Sequence, residues 1–175
     1  MNRLRHDPLL GFARIVLSFF ITVVCIGGAA IVVGLPLLLV FQRPVIAELA
    51  ADGAPAAAFW GILGLLALVG AMLVLVFFFL RHLRRIVDTV AEGDPFVPDN
   101  ADRLQAMAWL SLGAWAVNIP IQVLGDWVES VTEGSSVHIG VGDDGTSLAL
   151  VLTLFILARV FRKGSDMRAD LEGTV

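Results

Sequence analysis

Two charge-free apolar runs constrain this chain more than any other feature. Residues 15–41 and 56–80 contain no Asp, Glu, Lys or Arg. At about 1.5 Å of helical rise per residue, roughly 20 residues cross a hydrocarbon core of about 30 Å. Each run therefore predicts a transmembrane helix. The first is too long for a signal-peptide core. It holds the only cysteine, Cys25, which excludes an intrachain disulfide. Pro36 lies near its far end, a kink that packed neighbours can accommodate. The second opens with Trp60 and closes with Phe77-Phe78-Phe79-Leu80 against Arg81, and its Gly64, Ala67 and Ala71 are spaced to let another helix approach.

Composition supports the same solvent. Of 175 residues, 58% are hydrophobic and only 16% charged, against about 25% charged in soluble domains. The polar shell of a water-soluble fold is missing, so lipid must cover much of the surface.

Two weaker runs follow. Residues 104–128 carry Trp109, Trp115 and Trp127, with Trp109 and Trp127 about 27 Å apart at helical rise, a spacing suited to the two membrane interfaces. Residues 146–161 are short for a crossing and need help from Ile139 and Val141 or a locally thin bilayer; Arg159 at their end is placed to snorkel. The intervening residues 42–55 read as a polar connection ending in Asp52-Gly53-Ala54-Pro55, and 129–145 as a solvated loop. Beyond Arg81 an amphipathic helical pattern continues through Leu83, Ile86, Val87 and Val90 to about Glu92. Gly93 and Pro95 then stop it, and Asp99 or Asn100 is placed to cap the next helix.

Basic residues set the orientation. Arg3, Arg5 and Arg14 precede the first run, Arg81, Arg84, Arg85 and Arg103 lie between the second and third, and Arg159, Arg162, Lys163 and Arg168 end the chain. Only Arg43 of the twelve lies elsewhere. By the positive-inside rule both termini and the middle connection face the cytoplasm. The expected fold is all-α, a single domain over 1–175 with four transmembrane helices in two hairpins (about 15–41, 56–80, 104–128 and 146–161). It has a cytoplasmic link at 81–103 and a cytoplasmic tail at 162–175.

The second half carries a family likeness. Leu83-Arg84-Arg85-Ile86, Gly93-Asp94-Pro95-Phe96, Asn100, Arg103-Leu104, Trp109, Val160-Phe161-Arg162-Lys163-Gly164 and the terminal Leu171-Glu172-Gly173-Thr174-Val175 occur in this order. In these blocks the chain resembles a family of bacterial four-pass proteins called domain of unknown function 2975. The resemblance implies residence in the bacterial cytoplasmic membrane. It also implies a regulatory pairing, because genes of such proteins often accompany one for a small helix-turn-helix regulator. It supplies no catalytic residues.

Two groups of side chains are candidate sites. Arg81, Arg84, Arg85, Asp94, Phe96, Asn100, Arg162, Lys163, Arg168 and Glu172 place basic and acidic groups beside the membrane. That mixture suits a docking surface for a soluble partner, and the same arginines would also serve as topology determinants and lipid-headgroup contacts. Ser111, Trp115, Asn118 and Gln122, followed by Asp126, step by three or four residues and share one helix face. That face should turn inward, toward Thr22 and Cys25 or Thr153, as interhelical glue or as the lining of a solute pathway.

Asp126, Glu129, Glu133, His138, Asp143 and Asp144 lack the alternating ligands and terminal Glu of a calcium loop. No GxSxG, HExxH, P-loop or CxxC pattern occurs, so no enzyme, cofactor or metal is expected. The partners expected are the bilayer, a cytoplasmic protein and a further copy of the chain, without direct nucleic-acid binding. The leading expectation is a regulatory or interaction component; the alternative is a small-solute or ion transporter subunit.

Overall fold

The computed structural model describes residues 8–132 and 146–172. Within them the chain forms five helices: α1 (Pro8–Val40), α2 (Gln42–Ala51), α3 (Ala57–Ala91), α4 (Pro98–Val131) and α5 (Thr146–Glu172). Three of them, α1, α3 and α4, are long and apolar enough to cross a membrane. Helix α5 falls short by charge, because its first 18 residues already include Arg159, Arg162 and Lys163. Ile139 and Val141, expected to lengthen this segment, lie outside the described residues, as do Arg3, Arg5, Glu133, His138, Asp143, Asp144 and the terminal Gly173-Thr174-Val175.

The helices stand in a row. Helix α1 packs on α3, α3 on α4, and α4 on α5, while no interface of comparable extent joins α1 to α4 or α5, or α3 to α5. Two hairpins, α1/α3 and α4/α5, thus lie side by side through the α3–α4 contact. A row buries less of each helix than a closed bundle. Phe12, Ile15, Phe19, Ile26 and Val32 of α1 are exposed, as are Leu152 and Ile156 of α5. In water that apolar surface would cost about 25 cal/mol per Å², and lipid removes the penalty.

Close approach along the row depends on glycine. A Cβ at Gly61 would lie 2.5 Å from Trp127 Cζ3 and 2.8 Å from Val128 Cγ2, so α3 and α4 meet there almost backbone to side chain. Gly64 faces Leu124 in the same seam, and Gly70 faces Ile31 of α1. Ala67 and Ala71, expected to share the small-residue seam with Gly64, are exposed instead. They lie on the α3 face turned away from both neighbours.

The connections add to their sequence reading in one respect and depart from it in another. Within the polar connection, residues 42–51 form the helix α2. Ala, Glu, Leu and Ile favour helix, and Pro44 falls in the first turn, where its missing N–H costs no hydrogen bond. The turn after it is as expected: Gly53 takes φ +82°, with Gly53 N donating to Ala50 O and Ala54 N to Leu49 O. These two bonds satisfy the last carbonyls of α2.

The 81–103 link is almost wholly helical, as the pattern running to about Glu92 predicts. Helix α3 continues to Ala91, where Gly93 (φ +92°) ends it with the same pair of bonds, Gly93 N to Val90 O and Asp94 N to Thr89 O. Only residues 92–97 separate it from α4. The departure is at the start of α4, which neither Asp99 nor Asn100 caps. Its N-cap is Val97, in extended conformation, with Pro98 at the first helical position, where a fixed φ and no N–H suit proline. At the other end α4 runs on to Val131, into what reads as the start of a loop, and the 162–175 tail is helical as far as Glu172.

The main core lies toward one end of the row. Leu104, Met107 and Ala108 of α4 meet Leu154 and Ala158 of α5, with Phe79, Leu83, Ile86, Phe155 and Phe161 packed around them. The amphipathic extension of α3 thus uses its apolar stripe as the spacing predicts.

Candidate functional site: the basic end of the helix row

Three ion pairs between helices gather one end of the molecule. Arg14 of α1 pairs with Asp88 of α3 at 2.7 Å, Arg162 of α5 with Asp102 of α4, and Arg168 of α5 with Asp94 in the α3–α4 turn. Antiparallel packing then places Arg14, Arg81, Arg84, Arg85, Arg103, Arg159, Arg162, Lys163 and Arg168 at this end, and Arg43 in α2 at the other. The charge asymmetry in the sequence is therefore also an asymmetry in space.

The α3–α4 turn is organised around Asn100. Its side chain is fully buried. Nδ2 donates to Thr89 Oγ1 at 2.8 Å and to the Pro95 carbonyl at 2.9 Å, while Oδ1 accepts from Arg103 Nη1 at 2.8 Å. Thr89 in turn donates its hydroxyl to the Ile86 carbonyl at 2.8 Å, and Arg103 also reaches Asp99 at 3.2 Å. One amide thus ties the last turn of α3, the connecting turn and the first turn of α4 together. Expected as a docking residue, Asn100 is instead an internal clamp, because a fully buried side chain presents nothing to a partner.

Helix α5 closes over the turn from the side. The Phe96 ring lies 5.2 Å from that of Phe161, tilted by 37°. It also approaches Gly164 so closely that a Cβ there would sit 2.9 Å from Phe96 Cδ1. With the ion pairs of Asp94 and Asp102, this makes a patch in which Gly93-Asp94-Pro95-Phe96 and Phe161-Arg162-Lys163-Gly164 are in contact. These are blocks about 65 residues apart in sequence. Tail and middle connection thus meet residue by residue.

The other expected docking residues divide. Arg162 and Arg168 are spent on these intramolecular pairs and Lys163 is exposed, while the Glu172 side chain lies outside the described part. Arg81, Arg84 and Arg85 stand apart, on the α1 side of α3. His82 between them has a buried Nδ1 with no hydrogen-bond partner. In the sequence His82 reads as isolated and makes no ligand pair.

The polar face of α4 is partly assembled. Ser111, Trp115 and Asn118 line a groove of about 380 Å³ between α3 and α5, with Met72, Phe79 and Ser147 among its walls. Gln122 does not line it. The partners expected across from this face are elsewhere. Thr22 and Thr153 donate to carbonyls of their own helices, those of Ser18 and Ala149, and Cys25 is exposed. Helix α1 packs chiefly on α3, so the face looks onto α3 and α5 residues instead.

Comparison with known proteins yields one relationship. No curated protein and no solved structure matches the chain. The family described as protein of unknown function (DUF2975) matches residues 52–175, which include α3, the clamped turn, α4 and α5. The chain belongs to the DUF2975 family.

Proposed function

We propose that this chain is a non-catalytic four-pass membrane protein whose basic end, facing the cytoplasm, docks a soluble protein. In this reading α5 is the fourth crossing. The patch formed by Asp94, Phe96, Arg162, Lys163 and Arg168 is the docking surface. The observation that carries the reading is the clamp at Asn100 with α5 closed over it. A plain connector between two spans needs no fixed shape. Ordering each residue costs roughly 1–2 kcal/mol of backbone entropy, and here a fully buried amide and two long-range ion pairs are committed to it. A surface ordered in advance lowers the cost of binding, and mixed charge on it steers a complementary partner. The family resemblance favours a small helix-turn-helix regulator as that partner.

The test is a photoreactive residue in place of Phe96 or Met167, with Gly53 at the opposite end as control, in native membranes. A discrete adduct at 96 and 167 but not at 53 is expected. Deleting residues 168–175, or K163E, should remove it while insertion is retained. Adducts unaffected by both changes would refute the reading.

A second reading, a solute pathway, is favoured by the groove at Ser111, Trp115 and Asn118. It predicts flux in liposomes that Asn118→Leu abolishes. Wild-type protein silent across a broad ion panel would count against it.

A further inference from the structure

The arginines that the docking patch leaves out line a crevice of their own. Arg81, Arg84 and Arg85 of α3 enclose about 290 Å³ together with Phe77, Asp88 and Ile21 of α1. None of the three arginines makes an ion pair among the described residues. Among the described residues the only acid lining the crevice is Asp88, and it is already held by Arg14. The crevice is therefore net cationic, with no described carboxylate paired to its three arginines.

Its depth profile is ordered. Arg14 opposite Asp88 marks the antiparallel register of α1 and α3, which close packing at Gly27 and Gly70 also sets. Seven residues inward on each helix, about 10 Å at helical rise, are Ile21 and Arg81. The crevice thus runs from an ion pair at its outer rim, past arginines on one face of α3, to apolar Ile21 and Phe77 at the end of the apolar run. A phospholipid has the same order of parts: a charged headgroup, a phosphate, then acyl chains. Arginine suits the phosphate because its planar fork donates two parallel hydrogen bonds to adjacent oxygens.

We propose that this crevice binds one anionic phospholipid, its phosphate on Arg81, Arg84 and Arg85 and the start of its acyl chains against Ile21 and Phe77. An anionic headgroup is preferred over a zwitterionic one because a choline would bring a cation to three uncompensated arginines. The site is independent of the docking patch, which lies on the α5 side of the molecule.

The test uses the full chain purified in detergent, with native mass spectrometry counting bound phosphatidylglycerol against phosphatidylcholine. Wild type should retain one phosphatidylglycerol in preference. Each arginine contributes about one kcal/mol toward an anionic lipid surface. R81Q/R84Q/R85Q should therefore weaken binding about a hundredfold, while R162Q/K163Q leaves it unchanged. R81K/R84K/R85K keeps the charge that directs insertion and should weaken binding less. D88N removes the only acid and releases Arg14, so it should strengthen binding, and it decides the matter should the glutamine variant fail to insert. The proposal is overturned by equal retention of the two lipids, by preference surviving in an inserted glutamine variant, by D88N without effect, or by displacement with millimolar inorganic phosphate.

Discussion

Replacing Asn100 should unlock the α3–α4 turn, and the size of the effect follows from its bonds. Asn100→Ala removes two hydrogen bonds to neutral acceptors, Thr89 Oγ1 and Pro95 O, and one from the charged Arg103. Neutral bonds contribute about 1 kcal/mol each and a charged one about 1.5–3 kcal/mol. The expected loss is therefore about 3–5 kcal/mol. Asn100→Asp separates hydrogen bonding from shape. The Thr89 hydroxyl is committed to the Ile86 carbonyl, so it turns a lone pair toward position 100, as does the Pro95 carbonyl. A carboxylate there would face two acceptors and gain only in its contact with Arg103. Thermal unfolding in detergent, followed by tryptophan fluorescence, should show N100A melting about 10 °C below wild type, at roughly 2–4 °C per kcal/mol for a chain of this size. N100D should fall between the two. An N100A transition within a degree of wild type, or N100D as stable as wild type, would refute the clamp.

Other perturbations test other parts of the fold. Gly61→Ala gains up to about 1 kcal/mol in helix propensity but forces a Cβ to within 2.5 Å of Trp127, and such overpacking costs about 1–3 kcal/mol. A net loss in melting temperature that shrinks in a Trp127→Ala background is expected. His82→Leu removes a buried nitrogen without a partner, which costs about 1–3 kcal/mol, so the variant should melt at or above the wild-type temperature. The exposed pair Arg162–Asp102 should show a coupling of about 0–1 kcal/mol in a double-mutant cycle; a larger value would make it a main support of the fold.

Reading the sequence reached the architecture more easily than the site. Hydropathy is a long-range average, and the 15–41 and 56–80 runs place α1 and α3 because lipid rewards apolar length whatever the neighbours are. The charge pattern is similarly robust, since each arginine needs only to be at one end. Helix order in space is different. Nothing in the α1 sequence says that its main partner is α3, so the expected pairing of Thr22 and Cys25 with the polar face of α4 failed. Asn100 shows the same limit locally. An Asn near a helix start reads as a cap, yet Pro98 two residues earlier fixes the start and leaves Asn100 to turn inward. The proline was the legible signal. Gly164 by contrast could be explained only when Phe96 was seen against it, because that contact joins distant segments.

The most direct test of the account is the side of the membrane on which the basic end lies. Single cysteines at Phe96, Met167 and Gly53, in a Cys25→Ser background, can be probed with an impermeant maleimide in intact cells and after permeabilisation. Labelling at 53 in intact cells, with 96 and 167 labelled only after permeabilisation, is the predicted result. Labelling of 96 or 167 in intact cells would contradict the account, since Asp94 and Arg168 hold these two positions together.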